Sequence, residues 1–204
     1  KIKKELGWKK EIKKTSHHLS HAASAFYPSP FEDAAIIILD SVGEWACTSI
    51  GYGNKNEIKL LKEIKFPNSL GMFYSAFTQF SGFRVNADEY KLMGLAPYGK
   101  PKYKEKILKN IIKINDDGSY KLDLKYFQFH FGYNTISPNF EKLFGQKIRK
   151  KDEDIREIDC DLAASAQSVL DDIFLKIAIT AKKITGSKNV VLAGGVALNC
   201  VSNG

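Results

Sequence analysis

The sequence predicts an α/β fold in which a mixed β-sheet is flanked by helices. Three short segments of alternating or continuous apolar residues are separated by turns, which predicts an antiparallel meander. These segments are residues 36–39, 47–52 and 58–64. A long helix is predicted over residues 160–185, where apolar residues recur at helical spacing until Gly186. The apolar segment 189–193 follows and predicts a second buried strand, as expected for an α/β chain.

The first predicted strand ends in an acidic residue and a glycine turn. Asp40 follows the apolar run 34–39, and Gly43 lies three residues further on. A carboxylate at the end of a buried strand is well placed to face a metal or a phosphate. The turn that contains Gly43 can wrap a phosphate with its backbone N–H groups. A meander that opens in this way is typical of a ribonuclease-H-like subdomain.

Three of the four histidines lie within five residues, at His17, His18 and His21. The alanines that follow favour a helix, so His17 and His21 are expected one turn apart on one face. Two neutral imidazoles at this spacing commonly hold a divalent metal. The alternative is a partly buried helix whose histidines only cap their neighbours.

A second glycine turn follows the strand predicted at residues 189–193. Gly194 and Gly195 allow a ligand to approach the backbone closely, and the chain is expected to enter a helix directly afterwards. Asn199 would lie one turn into that helix, whose N-terminal N–H groups would face phosphate or ribose. This arrangement predicts a nucleotide-binding turn.

The middle of the chain contains one candidate loop for a site. Residues 86–99 combine acids, bases, glycines and a proline with poor periodicity, which favours a site loop with a short helix. The other segments predict ordinary structural elements. A core helix capped by Ser69 is predicted at residues 68–82, a basic helix at 102–114 and a strand at 120–124. An irregular aromatic segment, in which His130 is a packing residue, is predicted at 128–145, and a charged surface loop at 147–157.

Composition limits the classes of function. The chain has 204 residues and a formal net charge of +8, carried almost entirely by lysine clusters. These clusters predict solvated helix faces, with a nucleic-acid surface as the alternative. The three cysteines are far apart and predict reduced thiols in a cytoplasmic protein. The sequence contains no apolar run of about 20 residues, so a membrane partner is not expected.

Four segments occur in an order that is specific in combination. They are HHLSHAASAFYPSPF, LDSVGE, NADEYKLMGLAPYG and LAGGVALNCVSNG, and they extend from about residue 16 to the end of the chain. Together they resemble the O-carbamoyltransferases of the nodulation-protein-U and cephem or aminoglycoside type. Those enzymes contain a domain similar to the universal tRNA threonylcarbamoyl-transfer protein.

The resemblance implies an actin/sugar-kinase/Hsp70-like fold, in which two ribonuclease-H-like subdomains enclose a nucleotide. Residues 1–32 would form the end of the first subdomain, including the histidine helix. Residues 33–204 would form the second subdomain, truncated at its C-terminus. The remainder of both subdomains, and a separate domain that makes carbamoyl-adenylate, would lie outside this sequence.

The resemblance also implies a reaction and its residues. A carbamoyl group would pass from carbamoyl-adenylate, made from carbamoyl phosphate and ATP, to the hydroxyl or amine of a small-molecule acceptor. The matching residues are His17, His21 and Asp40 as ligands of a divalent metal of the iron or magnesium type, and Gly194, Gly195 and Asn199 as the nucleotide loop. A histidine that is not bound to metal, His18 or His21, could take the acceptor's proton. Glu89 and Lys91 lie in a family motif without an assigned role.

This sequence departs from the family pattern at Ser41, where glycine is usual, so a side chain is expected to narrow the phosphate turn. The expected partners are ATP, carbamoyl phosphate and a small-molecule acceptor, and homodimer formation is left open.

Two rival functions belong to different classes of protein. A tRNA threonylcarbamoyl transferase normally has a turn like Ser-Gly-Gly-His where this chain reads Asp-Ser-Val-Gly-Glu. A non-catalytic ATP-binding module would leave the histidine cluster unexplained.

Overall fold

The structure is a computed structural model that describes the backbone of residues 1–204 and the side chains of residues 1 and 3–204. The strands are β1 (Asp33–Gly43), β2 (Ala46–Asn54), β3 (Glu57–Lys65), β4 (Ile112–Ile114), β5 (Tyr120–Leu122) and β6 (Val190–Ala193). The α-helices are α1 (Ile2–Glu5), α2 (His17–Phe26), α3 (Leu70–Phe80), α4 (Glu89–Leu95), α5 (Lys104–Asn110), α6 (Pro138–Phe144), α7 (Glu157–Thr185) and α8 (Cys200–Asn203).

The main sheet is mixed and has the strand order β3-β2-β1-β6. Strands β1, β2 and β3 form an antiparallel meander, and β6 pairs with β1 in parallel after the long helix α7. The predicted α/β class and the predicted meander are therefore confirmed. Because Ile38 on β1 lies opposite Ala193 on β6, the ends of the two strands bring Asp40 and Gly195 together.

Strand β1 is buried on both faces, and its alternation assigns each residue to one layer. The even-numbered residues Ala34, Ile36 and Ile38 pack with Ala22 and Phe26 of α2. The odd-numbered residues Ala35, Ile37 and Leu39 belong to the larger core that contains α3 and α7. Asp40 is the next even-numbered residue, so the alternation directs its side chain towards α2.

The segment predicted as one basic helix at residues 102–114 is divided in the structure. Helix α5 ends at Asn110, and β4 then pairs antiparallel with β5. The prediction was wrong for the last turn because Ile111 and Ile112 are buried in the large core, and this packing overrides the helical pattern. The strand predicted at 120–124 ends at Leu122.

Three further expectations are corrected by tertiary packing. The segment 128–145 includes helix α6 and is therefore not irregular throughout. The surface loop predicted at 147–157 is a mostly exposed loop up to residue 156, as predicted, and the prediction was wrong only for Arg149. That residue is 5% exposed and donates from Nε to the carbonyl of Ser81 at 2.8 Å. Strand β6 was expected to be buried, but Val190 and Leu192 are exposed, because they lie on the face opposite the buried Val191 and that face is open in the described part of the chain.

Several helix predictions are confirmed. Ser69 caps α3 by accepting from the N–H of Met72, and α7 ends at Gly186 in a left-handed conformation. The predicted site loop at 86–99 contains α4 followed by a short 3-10 turn. Within the part of the chain that the structure describes, no helix has both the length and the apolar character needed to cross a membrane.

Candidate metal centre and adjoining cavity

Helix α2 carries the three clustered histidines on two different faces. Ser16 caps the helix by accepting from the N–H of Leu19, so His17 is the first helical residue. The ring of His18 lies on the buried face, directed towards the sheet. His17 and His21 are one turn apart, and their side chains are 46% and 30% exposed. The pair lies on one face, as predicted, and is accessible from solvent.

The two exposed imidazoles converge on one oxygen of Asp40. His17 Nε2 lies 2.9 Å from Asp40 Oδ2, and His21 Nε2 lies 3.1 Å from the same oxygen. The two Nε2 atoms are 3.0 Å apart. Three atoms that can each donate a lone pair to a metal therefore lie close together. They come from residues that are up to 23 positions apart in the sequence.

The geometry of this cluster fits a divalent cation. Two ligand atoms at right angles, with bonds of about 2.1 Å, are separated by about 3.0 Å, close to the distances between these donors. Two histidines and one carboxylate on one side of an ion also form the donor set typical of non-haem iron. Magnesium, which prefers oxygen ligands, matches this donor set less well. We conclude that His17, His21 and Asp40 could hold one divalent ion together.

The second oxygen of Asp40 is held by the backbone. Asp40 Oδ1 accepts from the N–H of Ser41 at 2.8 Å and from the N–H of Gly195 at 3.4 Å. Burial alone would raise the pKa of Asp40, but these hydrogen bonds and the histidines lower it below its ordinary value. The carboxylate is thus ionised at neutral pH and oriented with Oδ2 towards the histidines.

A bulge in the sheet accompanies this orientation. The pairing of β1 with β2 is regular up to Leu39, shifts its register, and resumes at Gly43. Bulges often change the direction of a side chain next to a functional site. Asp40 is the first residue of the irregular segment.

His18 is the buried member of the cluster. Its Nδ1 lies 2.6 Å from Ser49 Oγ, and its Nε2 has no hydrogen-bond partner among the described residues. Burial lowers the pKa of His18, so the neutral imidazole is favoured. The assignment of His18 and His21 as catalytic bases stays a prediction. To act as the base, His18 would have to contact the acceptor substrate, but its side chain is buried and the residue is 2% exposed.

Gly43 lies directly against the histidine rings. A Cβ at this position would be 2.6 Å from Cδ2 of His17 and 2.7 Å from Cδ2 of His18. The lack of a side chain at residue 43 is therefore explained by the close packing of α2 on the turn. Whether Gly43 also contacts a phosphate stays a prediction.

Substitution of Gly43 by alanine tests this packing. We expect Gly43→Ala to displace α2, to lower the free energy of unfolding by about 1–3 kcal/mol, and to weaken metal binding. Urea denaturation would measure the first effect and calorimetric titration of Fe²⁺ the second. Gly94→Ala is the control, because a Cβ at Gly94 meets no atom within 4 Å. Equal stability of Gly43→Ala and wild type would contradict the packing argument.

The second glycine turn has one constrained glycine and one unconstrained glycine. Gly194 has φ +95°, and its Cβ would overlap the carbonyl oxygen of Leu39. Gly195 has φ −61° and ψ −36°, which any residue adopts, and its Cβ would lie 3.5 Å from Asp40 Oδ1. Gly194 is therefore required by the fold, whereas Gly195 is exposed and free of this constraint.

A cleft of about 400 Å³ lies next to the metal centre. This volume is within the range of about 300–1,000 Å³ that is typical of small-molecule sites. Its lining includes Ser41, which follows Asp40, and Gly195 and Asn199 from the predicted nucleotide turn. Tyr74, Met93, Leu170 and Val196 give it a largely apolar wall. The cavity is thus lined by residues of the turn after β1 and of the turn after β6, whereas His17, His21 and Asp40 lie outside its lining.

Ser41 fits the turn because α3 has a glycine beside it. A Cβ at Gly71 would lie 2.5 Å from Cα and 2.7 Å from Cβ of Ser41. The hydroxyl of Ser69 donates to the carbonyl of Ser41 and fixes the turn from the other side. The side chain that departs from the family pattern is therefore accommodated by a close approach of α3.

Asn199 differs from its predicted place in the structure. It was expected one turn into a helix, but it precedes α8 as the N-cap and accepts from the N–H of Ser202. A short 3-10 turn, Val196–Leu198, separates it from Gly195. Asn199 is 8% exposed and also bonds to Gln167 of α7. Gln167 was not predicted as a site residue, because a polar residue within a helix is not by itself a sign of a binding site.

The two unassigned residues of α4 have different surroundings. Glu89 lines the cavity, and its Oε1 accepts from Ser75 Oγ at 2.8 Å and from the N–H of Asn86 at 2.7 Å. Lys91 instead pairs with Asp88 at 2.9 Å. His130 contacts the ring of Phe131 edge-on, which confirms that it is a packing residue.

Comparison with known proteins agrees with the resemblance stated above. A family model described as Carbamoyltransferase N-terminus matches residues 2–204. The nodulation protein NolNO of Sinorhizobium fredii is 36% identical over 93% of this chain, and NolO of Bradyrhizobium diazoefficiens is 33% identical over 93%. The uncharacterized protein sll1178 of Synechocystis is 48% identical over 92%.

The chain spans only part of each of these relatives. It covers 26% of NolNO, 32% of NolO and 31% of sll1178. The match nevertheless extends over almost the whole of this sequence, including the histidine helix and both glycine turns. The chain therefore belongs to the carbamoyltransferase N-terminus family.

Proposed function

We propose that this chain forms part of a carbamoyltransferase that acts through carbamoyl-adenylate. The carbamoyl group, derived from carbamoyl phosphate and ATP, passes to a hydroxyl or amine of a small-molecule acceptor. The observation that carries this proposal is that the two carboxylate oxygens of Asp40 have different partners. One of its oxygens completes the histidine cluster, and the other accepts from the N–H of Gly195 at the edge of the cavity.

We propose that the fold is a ribonuclease-H-like subdomain of the actin/sugar-kinase/Hsp70 type. The antiparallel meander β1–β3, joined in parallel by β6 after a long helix, supports this assignment. In such a fold, ligands bind beyond the ends of the central strands, and the cavity occupies this position at the ends of β1 and β6.

The residues of this chain have separate tasks in the proposed transfer. His17, His21 and Asp40 would hold the divalent ion, which supplies Lewis-acid polarisation and neutralises phosphate charge when bound. The cavity wall formed by Tyr74 and Leu170 excludes water from the reactive adenylate. Glu89, held by Ser75 and Asn86, can accept a hydrogen bond from a ligand hydroxyl.

The proposed step forms one bond and breaks one. The acceptor oxygen or nitrogen attacks the carbamoyl carbon, the bond from that carbon to the phosphate oxygen breaks, and AMP leaves. The acceptor loses its proton to a base. A histidine that binds the metal through Nε2 has no lone pair left for this proton, so His21 would be the base only if His17 and Asp40 hold the ion without it. His18 would be the base only if the acceptor reaches its buried ring.

An assay for carbamoyl-adenylate tests this function in the full-length protein. With ATP, carbamoyl phosphate and Fe²⁺ or Mg²⁺, we expect mass spectrometry to detect carbamoyl-adenylate and, with an acceptor, a carbamoylated product. Asp40→Asn preserves the size of the side chain but removes its charge. We expect it to lower product formation more than 100-fold, beyond the roughly 10- to 100-fold cost of changing a residue that only supports a metal ligand.

The rival functions give different outcomes in the same assay. A non-catalytic ATP-binding module would bind ATP and form no carbamoylated product. A tRNA threonylcarbamoyl transferase would require threonylcarbamoyl-adenylate and tRNA as substrates. Equal product formation by Asp40→Asn and wild type would contradict the proposed role of the metal centre.

A further inference from the structure

Gln167 lies in the first half of α7 and is 4% exposed, next to the buried apolar residues Ala166 and Leu170. A buried amide is costly unless its polar atoms are paired. Gln167 Oε1 accepts from the hydroxyl of Tyr74 at 2.9 Å, and Nε2 donates to Asp171 Oδ1 at 2.8 Å. Asp171 is a carboxylate and only accepts, so the contact fixes which end of the Gln167 amide carries the N–H groups.

The same amide pairs reciprocally with Asn199. Asn199 Nδ2 donates to Gln167 Oε1 at 3.0 Å, and Gln167 Nε2 lies 3.1 Å from Asn199 Oδ1. Asn199 Oδ1 also accepts from the N–H of Ser202 at 3.0 Å. These contacts define the orientation of the Asn199 carboxamide, although the two residues are 32 positions apart in sequence.

One N–H group of Asn199 remains for a ligand. Nδ2 carries two hydrogens, and one of them is used by Gln167. Asn199 lines the cavity beside the metal centre, together with Tyr74, which is also bonded to Gln167. The network therefore ties two of the cavity-lining residues to one buried side chain.

We propose that Gln167 is a positioning residue that holds the Asn199 carboxamide with its second N–H directed at a nucleotide in the cavity. This inference rests on the proposed function, because it takes the ligand to be ATP or an adenylate. Without Gln167, the Asn199 carboxamide would lose the partner that contacts both of its ends, and the N–H of Ser202 would still hold only its oxygen. The ligand would then lose its hydrogen bond with Asn199, although Gln167 itself does not contact the ligand.

A double-mutant cycle in the full-length protein tests this inference, with a fluorescent ATP analogue as the probe. We expect Gln167→Met, which keeps a similar length and fills the space, to raise the Kd about tenfold. Asn199→Ala should raise it by a similar factor. The double variant should bind no more weakly than Asn199→Ala, because Gln167 acts only through Asn199.

Gln79→Met is the matched control. Gln79 is a partly buried glutamine of α3 whose Oε1 accepts from the N–H groups of Thr135 and Ile136, each at 3.0 Å. We expect this variant to lower the melting temperature without changing the Kd. The control separates general destabilisation from an effect on the ligand.

Each outcome decides the inference. A Gln167→Met protein that folds and binds like wild type would overturn it, and so would losses that add in the double variant. If Gln167→Met does not fold, Gln167→Leu, which also removes both polar atoms that contact Asn199, is measured in the same cycle. Failure of both variants to fold would assign Gln167 to the scaffold. Absence of binding by wild type would overturn the proposed function itself and this inference with it.

Discussion

Gly195→Val is expected to abolish ATP binding while the protein remains folded. Gly195 lines the cavity, and its backbone conformation is one that valine also adopts. Its Cβ would lie at an ordinary distance of 3.5 Å from Asp40 Oδ1, so the free protein accommodates it. The two methyl groups would occupy ligand space and crowd the carboxylate. Titration with a fluorescent ATP analogue measures binding, and circular dichroism reports the fold.

Two further glycine variants make this result specific. Gly194→Val should fail to fold, because Gly194 has φ +95° and lies against the backbone of Leu39. Gly132→Val introduces the same side chain where the nearest atom to the Cβ is 3.4 Å away, outside the cavity, and should bind ATP normally. A folded Gly195→Val protein with wild-type affinity would show that the turn only ends a strand.

His17→Ala is expected to weaken metal binding by more than about 100-fold, the upper end for a residue that only supports a ligand. His17 Nε2 is one of three atoms that converge within about 3 Å of each other, and alanine leaves only His21 and Asp40. Helix α2 should persist, since alanine has a high helix propensity and His17 is exposed. Calorimetric titration of Fe²⁺ and of Mg²⁺ into the full-length variant measures the change.

The control for His17→Ala is another histidine that is remote from the cluster. His130→Ala removes an imidazole that packs between aromatic rings, and it should leave metal affinity unchanged. If His17→Ala also binds metal with unchanged affinity, the histidine helix is a structural element and the metal assignment fails.

Much of the candidate site was predictable because its signals are local. The spacing of His17 and His21 follows from the helix repeat, and the alternation along β1 assigns Asp40 to the face that carries α2. The glycine turns after β1 and β6 are also visible in sequence. The structure brings these residues to the same ends of adjacent strands, as the predicted α/β class requires.

Other predictions were wrong where distant packing overrides a local pattern. Burial of Ile111 and Ile112 turns the end of a predicted helix into β4. Arg149 is the buried exception in a segment that otherwise forms the predicted surface loop, and it donates to backbone carbonyls. The continuous apolar pattern of β6 predicted burial, but Val190 and Leu192 are exposed, since no pattern within a strand shows whether both of its faces are covered.

The sequence by itself therefore determined the helix that presents the histidines, the strand that presents Asp40, and the two glycine turns, because each depends on residues close in the chain. Only the tertiary structure decided that one oxygen of Asp40 meets both imidazoles while the other meets Gly195. Only it decided that Gly43 makes room for the histidine rings and that Gln167 holds Asn199. These contacts join residues that are far apart in sequence, so their geometry is fixed by how the layers pack and not by any local periodicity.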